Sequence, residues 1–449
     1  MNDAAEVVVV GAGPAAAATA CGLRRLGYAV VMIGESRNAS VEGVSERTLA
    51  RLRIAGLLAA AECVRGPGER TGVWGDGVTA TSREYIVERS AFDRALLTDA
   101  AASGVVTRAD WVIALEQSNE GWCVRTRSGD IDCRVVIDAR GRRSRGAPLR
   151  GPRLAAISQR FQSPGHASLR TVVHPLADGW CWLAEDEEGM RWVQVVGAPG
   201  TLQPRHDLSL QIATTLKALP ALAASLDGAV AVGPSSVRAA VAKMSIPAPA
   251  RGMLRVGDAA IAMDPLSGHG LHEALASASV TVAAAHTYLD RDDWIAVEQF
   301  VNERAHEVWS RTVAVAAHFY GAQAARIATP FWMQTASAYE SLAVAANARE
   351  WHEPRVDLRP VLNGHFIEMR RVVVTPERRR GVWQLSSVEL AGLVDYFHSE
   401  PQPDVAHAAE RFARTPAVVS EAAEWLAARG LIQLARQSGA PPALLNRGG

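Results

Sequence analysis

Four consecutive valines, Val7–Val10, run straight into Gly11-Ala12-Gly13-Pro14-Ala15-Ala16, and this junction constrains the fold more than any other part of the chain. A short apolar run bounded by glycine reads as a strand buried on both faces. Ala15–Leu26 reads as an alanine-rich helix that stops at Gly27, and Tyr28–Ile33 as a second buried strand. A strand, a glycine turn, a helix and another strand in this order open a sheet that binds a dinucleotide. Gly11 permits the tight turn. Gly13 lets the backbone approach a pyrophosphate, whose negative charge meets the helix N-terminus. Ala16 stands where the motif's third glycine would be and is small enough for it. Glu35 ends the second strand, where an acid holds a ribose hydroxyl. Gly11, Gly13, Pro14, Ala15, Ala16 and Glu35, with Arg37 just beyond, are therefore the predicted contacts of a dinucleotide.

The chain has 449 residues, enough for two or three folding units. Hydrophobic residues make up 48% and charged ones 21%, and the formal net charge is zero. Nothing in that balance favours broad capture of nucleic acid or membrane. No apolar run reaches the ~20 residues of a membrane span. The first residues lack a basic segment and a cleavage site, so they do not read as a signal peptide. Cys21, Cys63, Cys123, Cys133 and Cys181 are odd in number and irregular in spacing. They read as free thiols, with neither a disulfide framework nor a metal site, in a reducing cytoplasm.

After the first strands, helix is expected around Arg47–Ala61, followed by irregular glycine-rich sequence. Ala91–Ser103 reads as a helix. Trp111–Gln117, Trp122–Arg127 and Arg134–Ile137 read as a meander. An antiparallel substrate-binding sheet is expected over about 152–249, with a helix near Leu208–Leu219, then a last buried strand, Met253–Val256, and trailing helices over about 271–350. Pro354, Pro360 and Gly364 mark a linker. The expected division is a dinucleotide-binding domain over 1–355 with the sheet inserted, and a small domain over 360–449.

Val135-Val136-Ile137-Asp138 and Arg255-Val256-Gly257-Asp258 each place an aspartate just after a buried strand. This layout resembles the p-hydroxybenzoate hydroxylase class of flavoproteins. The resemblance implies bound FAD, with Asp258 on the ribityl chain, Arg47 near the cofactor and Arg89 reaching the phosphates. It implies further contacts from Pro265, Gly268, Gly270 and Leu271, where a helix points its N-terminus at the flavin. Gly179-Trp180-Cys181-Trp182-Leu183-Ala184 resembles the GWxWxIP motif of the tryptophan halogenases. Asp264-Pro265-Leu266-Ser267-Gly268-His269-Gly270 resembles their DPLFSSG segment, and Phe319-Tyr320 with Pro330-Phe331-Trp332 a late helical one. These likenesses span roughly residues 1–340 and imply that Trp180 and Trp182 face the substrate. The halogenases also need a lysine in the first third of the chain, and this chain has none before Lys217. Halogenation is therefore not expected.

The resemblance then implies a monooxygenase. NADH or NADPH reduces the flavin transiently, O2 adds to form a C4a-hydroperoxide, and oxygen passes to an electron-rich aromatic. The pattern is similar to flavoproteins that mature tryptophylquinone enzymes, which makes a tryptophan within a peptide or protein the expected substrate. A free small aromatic is the alternative, and a non-catalytic FAD scaffold the alternative of another class. His269, His272 and Asp264 are the candidate proton-transfer groups, since they surround the glycine turn where the flavin ring is expected. Arg140, Arg142, Arg143 and Arg145 read as a solvated basic turn. In the last segment, strands over Phe366–Val374 and Val382–Leu385, a helix capped by Ser387, two more helices from Pro403 and Pro416, and a closing strand Leu431–Leu434 resemble a winged-helix domain of the peptide-binding kind; a helical cap over the active site or a dimer contact is the alternative reading, and DNA binding a third.

Overall fold

The computed structural model describes residues 5–35, 40–75, 77–146, 149–164, 168–200, 208–217, 219–245, 250–348 and 353–434. Arg37 lies outside the described residues. The chain divides into two compact units, Met1–Arg349 with Gly364–Phe366, and Glu350–Asn363 with Ile367–Gly449.

The first unit is a Rossmann-like α/β domain interleaved with a large, mainly antiparallel sheet. Its parallel sheet has five strands in the order Met253–Arg255, Val135–Asp138, Val7–Val10, Val30–Ile33, Val106–Arg108. The two strands beside Val7–Val10 are buried at every position, as the apolar runs Val30–Ile33 and Val135–Ile137 require. The helix Pro14–Arg25 lies against the helix Gly270–Arg291, close enough that a Cβ on Gly22 would come within 2.6 Å of Val282. All the turns that matter for a ligand leave the same, C-terminal edge of this sheet: Gly11, Gly34, Ala139 and Val256.

The second sheet has eight strands, in the order Val230–Ala239, Ala155–Gln162, Met190–Gly197, Gly179–Glu185, Arg170–Leu176, Val64–Trp74, Val78–Glu88, Val41–Val44. Three of its strands precede residue 152, so the expected span 152–249 covers only part of it. Sequence predicts irregular structure where the paired strands Val64–Trp74 and Val78–Glu88 lie. The glycines are the reason. A Cβ on Gly68 would collide with the Leu169 backbone, so glycine there serves close strand approach. The pairing also shifts register between Arg65 and Gly68. One face of the sheet, with Cys181, Leu183, Val193 and Val195, is covered by Ile212 and Leu216 of the helix Leu208–Lys217. The other face packs Val173, Trp180 and Val196 onto Trp309, Tyr320, Trp332 and Tyr339 of the long helices Trp294–Arg326 and Pro330–Asn347.

The meander differs from expectation in its third strand. Asp130–Cys133 completes it, and Val135–Asp138 belongs instead to the parallel sheet. No described helix is long and apolar enough to cross a membrane, and no described group of side chains could hold a metal ion. All five cysteines are free.

The second unit is small and winged-helix-like. Its core gathers Leu390, Leu393, Val394 and Phe397 with Ala408, Val419, Ala422 and Leu426 from the helices Leu390–Ser399, Val405–Arg411 and Pro416–Ala427. The expected linker is in fact a strand, Arg355–Asn363, joined in a two-stranded sheet to Phe366–Val374. Ser387 does not cap the first helix; Glu389 holds the cap position, and Ser387 sits in a turn with φ 70°. Leu431–Leu434 is irregular rather than a closing strand.

Candidate active site

The glycine turn is built as a dinucleotide loop. Gly11 has φ 136°, and a Cβ there would run into the Ala139 carbonyl of the neighbouring strand, so only glycine fits. Pro14 starts the helix, where its missing N–H costs nothing. Ala16 is fully buried, and Ala15 faces Gly257, where a Cβ would come within 2.8 Å of it. Glu35 is exposed at the end of its strand. A helix N-terminus with no side-chain cap, at the open edge of the sheet, fits a pyrophosphate.

Asp138 anchors the next turn. It accepts from Arg140 through Nε and Nη2, both at 2.9 Å, and from Ser144 at 2.7 Å. Burial pushes its carboxyl up, but these bonds prevail and hold it below the usual carboxylate range. Arg142, Arg143 and Arg145 are exposed, as a solvated basic turn would have them, but Arg140 and Arg142 are also bound to the site. Arg142 donates to the Met263 carbonyl at 2.7 Å and pairs with Asp258 at 3.3 Å. It thereby ties three segments together and orients the half-exposed Asp258 at the sheet edge.

Asp264, Pro265, Leu266 and Ser267 form a single helical turn that ends at Gly268, whose φ of 62° is left-handed. The helix Gly270–Arg291 follows, with His269 at its cap position. A Cβ on Gly270 would meet nothing within 4 Å, so space is open before this N-terminus. Leu271 is buried beneath it.

The three proton-transfer candidates separate. Asp264 is 1% exposed and does not reach the open space. It accepts from Tyr339 Oη at 2.5 Å, from Leu266 N at 2.9 Å and from Tyr320 Oη at 3.4 Å. Burial pushes its carboxyl up, and it acts as a structural post that fixes the turn. His269 is exposed. His272 is half-buried, and its Nδ1 has no partner among the described residues. Burial, then the charges of Arg51, His269, Arg47 and Arg311, push its ring below the usual histidine range. Arg47 is exposed on the helix Glu46–Ile54.

Two further residues depart from their expected places. Arg89 is 3% exposed, with Nη2 on Asp93 at 2.7 Å and Nη1 on Glu42 at 2.8 Å. Its charge is matched by two carboxylates rather than presented to a phosphate. Trp180 is 2% exposed and donates Nε1 to Tyr320 at 3.2 Å. Only Trp182 of the pair is partly open. It shares a sheet face with Val173, its direct partner on one side, and Gln194 on the other. Gln194 donates to Ser158 at 3.3 Å on the same face. Tyr320 and Tyr339 carry no local sign of a site role, although Tyr320 lies in a segment that resembles the halogenases.

Fold and site together define a flavoprotein of the halogenase and monooxygenase class. The sequence pattern of the tryptophan halogenase family matches residues 69–360, and the chain belongs to that family. Among solved structures it is similar to QhpG, described as a peptidyl tryptophan dihydroxylase essential for tryptophylquinone cofactor biogenesis. That likeness has 30% identity and a TM-score of 0.80 over 96% of this chain and 100% of the other. The flavin-dependent halogenase CmlS shares the fold at 18% identity and TM-score 0.72, over 96% of each chain. A probable FAD-dependent monooxygenase from Pseudomonas aeruginosa, pqsL, shares it at 17% identity and TM-score 0.56, over 76% of this chain and 100% of that one. No curated protein sequence matches the chain.

Proposed function

We propose that this chain is an FAD-dependent monooxygenase that hydroxylates a tryptophan side chain within a peptide or protein, in the biogenesis of a tryptophylquinone cofactor. The observation that carries the reading is the likeness to QhpG at 30% identity, which covers 96% of this chain and all of the other and so reaches into the second unit.

In this reading Gly11, Gly13 and the N-terminus of Pro14–Arg25 hold the pyrophosphate, Glu35 the ribose, and Asp258 the ribityl chain, oriented by Arg142. The turn Pro265–Leu271 would hold the ring, and FAD bound there would supply the activation of O2, with NADH or NADPH as the electron source. The protein supplies placement. Trp182, half-buried on the sheet face, stacks against the substrate indole. Asp264 keeps the turn fixed from beneath. His269 and His272 take up the proton that the indole releases, with His272 kept neutral at physiological pH by burial and its cationic neighbours. The second unit is the proposed grip on the rest of the peptide, and the cytoplasm, where substrate peptides are made, the proposed compartment.

The test is mass spectrometry of a tryptophan-containing peptide incubated with the FAD-loaded protein, NADH and air. A gain of one or two oxygen atoms on tryptophan is expected, absent without the protein. An unchanged peptide beside oxidised free aromatics would overturn the reading in favour of a small-molecule hydroxylase. Flavin that no nicotinamide reduces, even with substrate present, would point to a scaffold.

A further inference from the structure

The sheet face that carries Trp182 also carries a charged set that neither the family motifs nor the proton-transfer scheme uses. Arg70 on Val64–Trp74 pairs directly with Thr171 on Arg170–Leu176, and directly paired residues point to one face. Thr171 and Val173 stand two apart on that strand, and Val173 pairs with Trp182. Arg70, Thr171, Val173 and Trp182 therefore line the same surface.

Glu84, on the adjacent strand, joins them. Its Oε2 accepts from the Thr171 hydroxyl at 2.6 Å and its Oε1 from Arg70 Nη1 at 3.1 Å. The Glu84 side chain is 9% exposed and that of Arg70 35%. Behind Glu84 stands Gly43, where any Cβ would strike the carboxylate, so the backbone itself blocks retreat. The buried acid is thus fixed on two sides and fixes one nitrogen of the guanidinium. Among the described residues, that bond is the only one Arg70 makes. Its other nitrogens remain as donors. Arg70 Nη1 lies 3.9 Å from the position a Cβ on Gly268 would take, so the guanidinium stands over the glycine turn that opens the site helix.

We propose that Arg70, aligned by Glu84 and Thr171, is the substrate-positioning donor of the site and holds a backbone carbonyl oxygen of the peptide beside its target tryptophan. Three chemical points select that ligand. A guanidinium keeps its proton at any physiological pH, so it binds oxygen and transfers nothing. Glu84 already cancels its charge, so a neutral carbonyl suits it better than a carboxylate or a halide ion. The indole ring offers no oxygen, so in a tryptophan peptide the acceptor is the main chain. The inference rests on the proposed peptide substrate and names the contact that distinguishes a peptide from a bare indole.

The experiment measures binding by calorimetry to the FAD-loaded protein without reductant, using a tryptophan peptide and, in parallel, 3-methylindole. Arg70→Gln is expected to weaken the peptide about tenfold or more and to leave 3-methylindole and FAD affinity unchanged. Arg70→Lys keeps the charge but loses the fork, and falls between. Glu84→Gln leaves the guanidinium uncompensated, so chloride becomes a competitor of the peptide in that variant alone. Equal loss of peptide and 3-methylindole would overturn the inference, as would an Arg70→Gln variant that binds the peptide like the parent. Should Arg70→Gln fail to retain FAD, Arg70→Lys and Glu84→Gln carry the same comparison, and chloride competition absent from Glu84→Gln overturns it. Wild-type turnover of the peptide, measured alongside, separates the two ideas. Turnover with no Arg70 effect sinks only the carbonyl contact, whereas no turnover sinks the peptide reading and this contact with it.

Discussion

Replacing Tyr339 by Phe tests whether Asp264 acts as a charged post beneath the turn. The substitution removes one hydroxyl and keeps the ring that stacks on Tyr320 at 5.3 Å. It deletes the 2.5 Å bond to Asp264 Oδ2 and leaves that carboxylate with Leu266 N at 2.9 Å and the longer 3.4 Å contacts from Tyr320. A hydrogen bond to a charged group contributes about 1.5–3 kcal/mol, and a neutral one about 1 kcal/mol. The sign of the pH dependence follows from burial, which raises the Asp264 carboxyl above its usual 3.8. A carboxyl raised on folding favours the folded state most below its unfolded value, and that advantage declines as pH rises through the folded value. Tyr339 offsets part of the decline because its bond favours the ionised form. Tyr339→Phe should therefore cost about 1 kcal/mol while Asp264 is protonated and about 1.5–3 kcal/mol once it is ionised. The assay is the urea midpoint with unchanged slope, followed from acid to alkaline pH, in the parent and in an Asp264→Asn background. In that background the loss should stay near ~1 kcal/mol throughout, whereas in the parent it should grow as pH rises. A loss that is the same in both backgrounds and at every pH would refute the charged post.

Gly11→Ala should yield protein without FAD, read from the flavin absorbance of the purified protein, because its Cβ has no place beside Ala139. Arg142→Ala unties Asp258, Met263 and Val241 together, and should weaken FAD at least tenfold in a fluorescence titration. Trp180→Phe should cost about 0.5–1.5 kcal/mol of stability through the lost bond to Tyr320 and leave KM unchanged, whereas Trp182→Phe should raise KM. The acid limb of the pH–rate profile should lie below the usual histidine range if His272 takes the proton, and His272→Gln should remove that limb.

The parts of the fold that were legible are those in which local pattern and burial agree. Val7–Val10 and Val30–Ile33 are apolar throughout and buried at every position, and the sequence says so directly. Val64–Trp74 is different. Its glycines answer to the Leu169 backbone about a hundred residues away, a distance that no local window spans. The same limit separates the site's acids. Asp264 looks catalytic beside its glycine turn, but Tyr320 and Tyr339, 56 and 75 positions further on, bury it. Arg89 is disarmed by Glu42, 47 positions earlier. The reverse error hid Arg70 and Glu84, which lie in a stretch read as irregular and acquire a common face only through strand pairing.

That pairing also orders events in time. Arg170–Leu176 runs parallel to Val64–Trp74, so the strands on either side of this seam cannot meet until the ribosome has released the later one. A loop of about a hundred residues must close first, which makes the step slow. In the proposed function, the cofactor loop at Gly11 emerges long before Asp258 and Gly270, which would complete the cradle. A nascent chain therefore carries half a nucleotide cradle for most of its synthesis. On that reading flavin capture belongs to the end of translation, and a cell short of FAD would leave a nearly complete polypeptide waiting with its seam closed and its cradle empty.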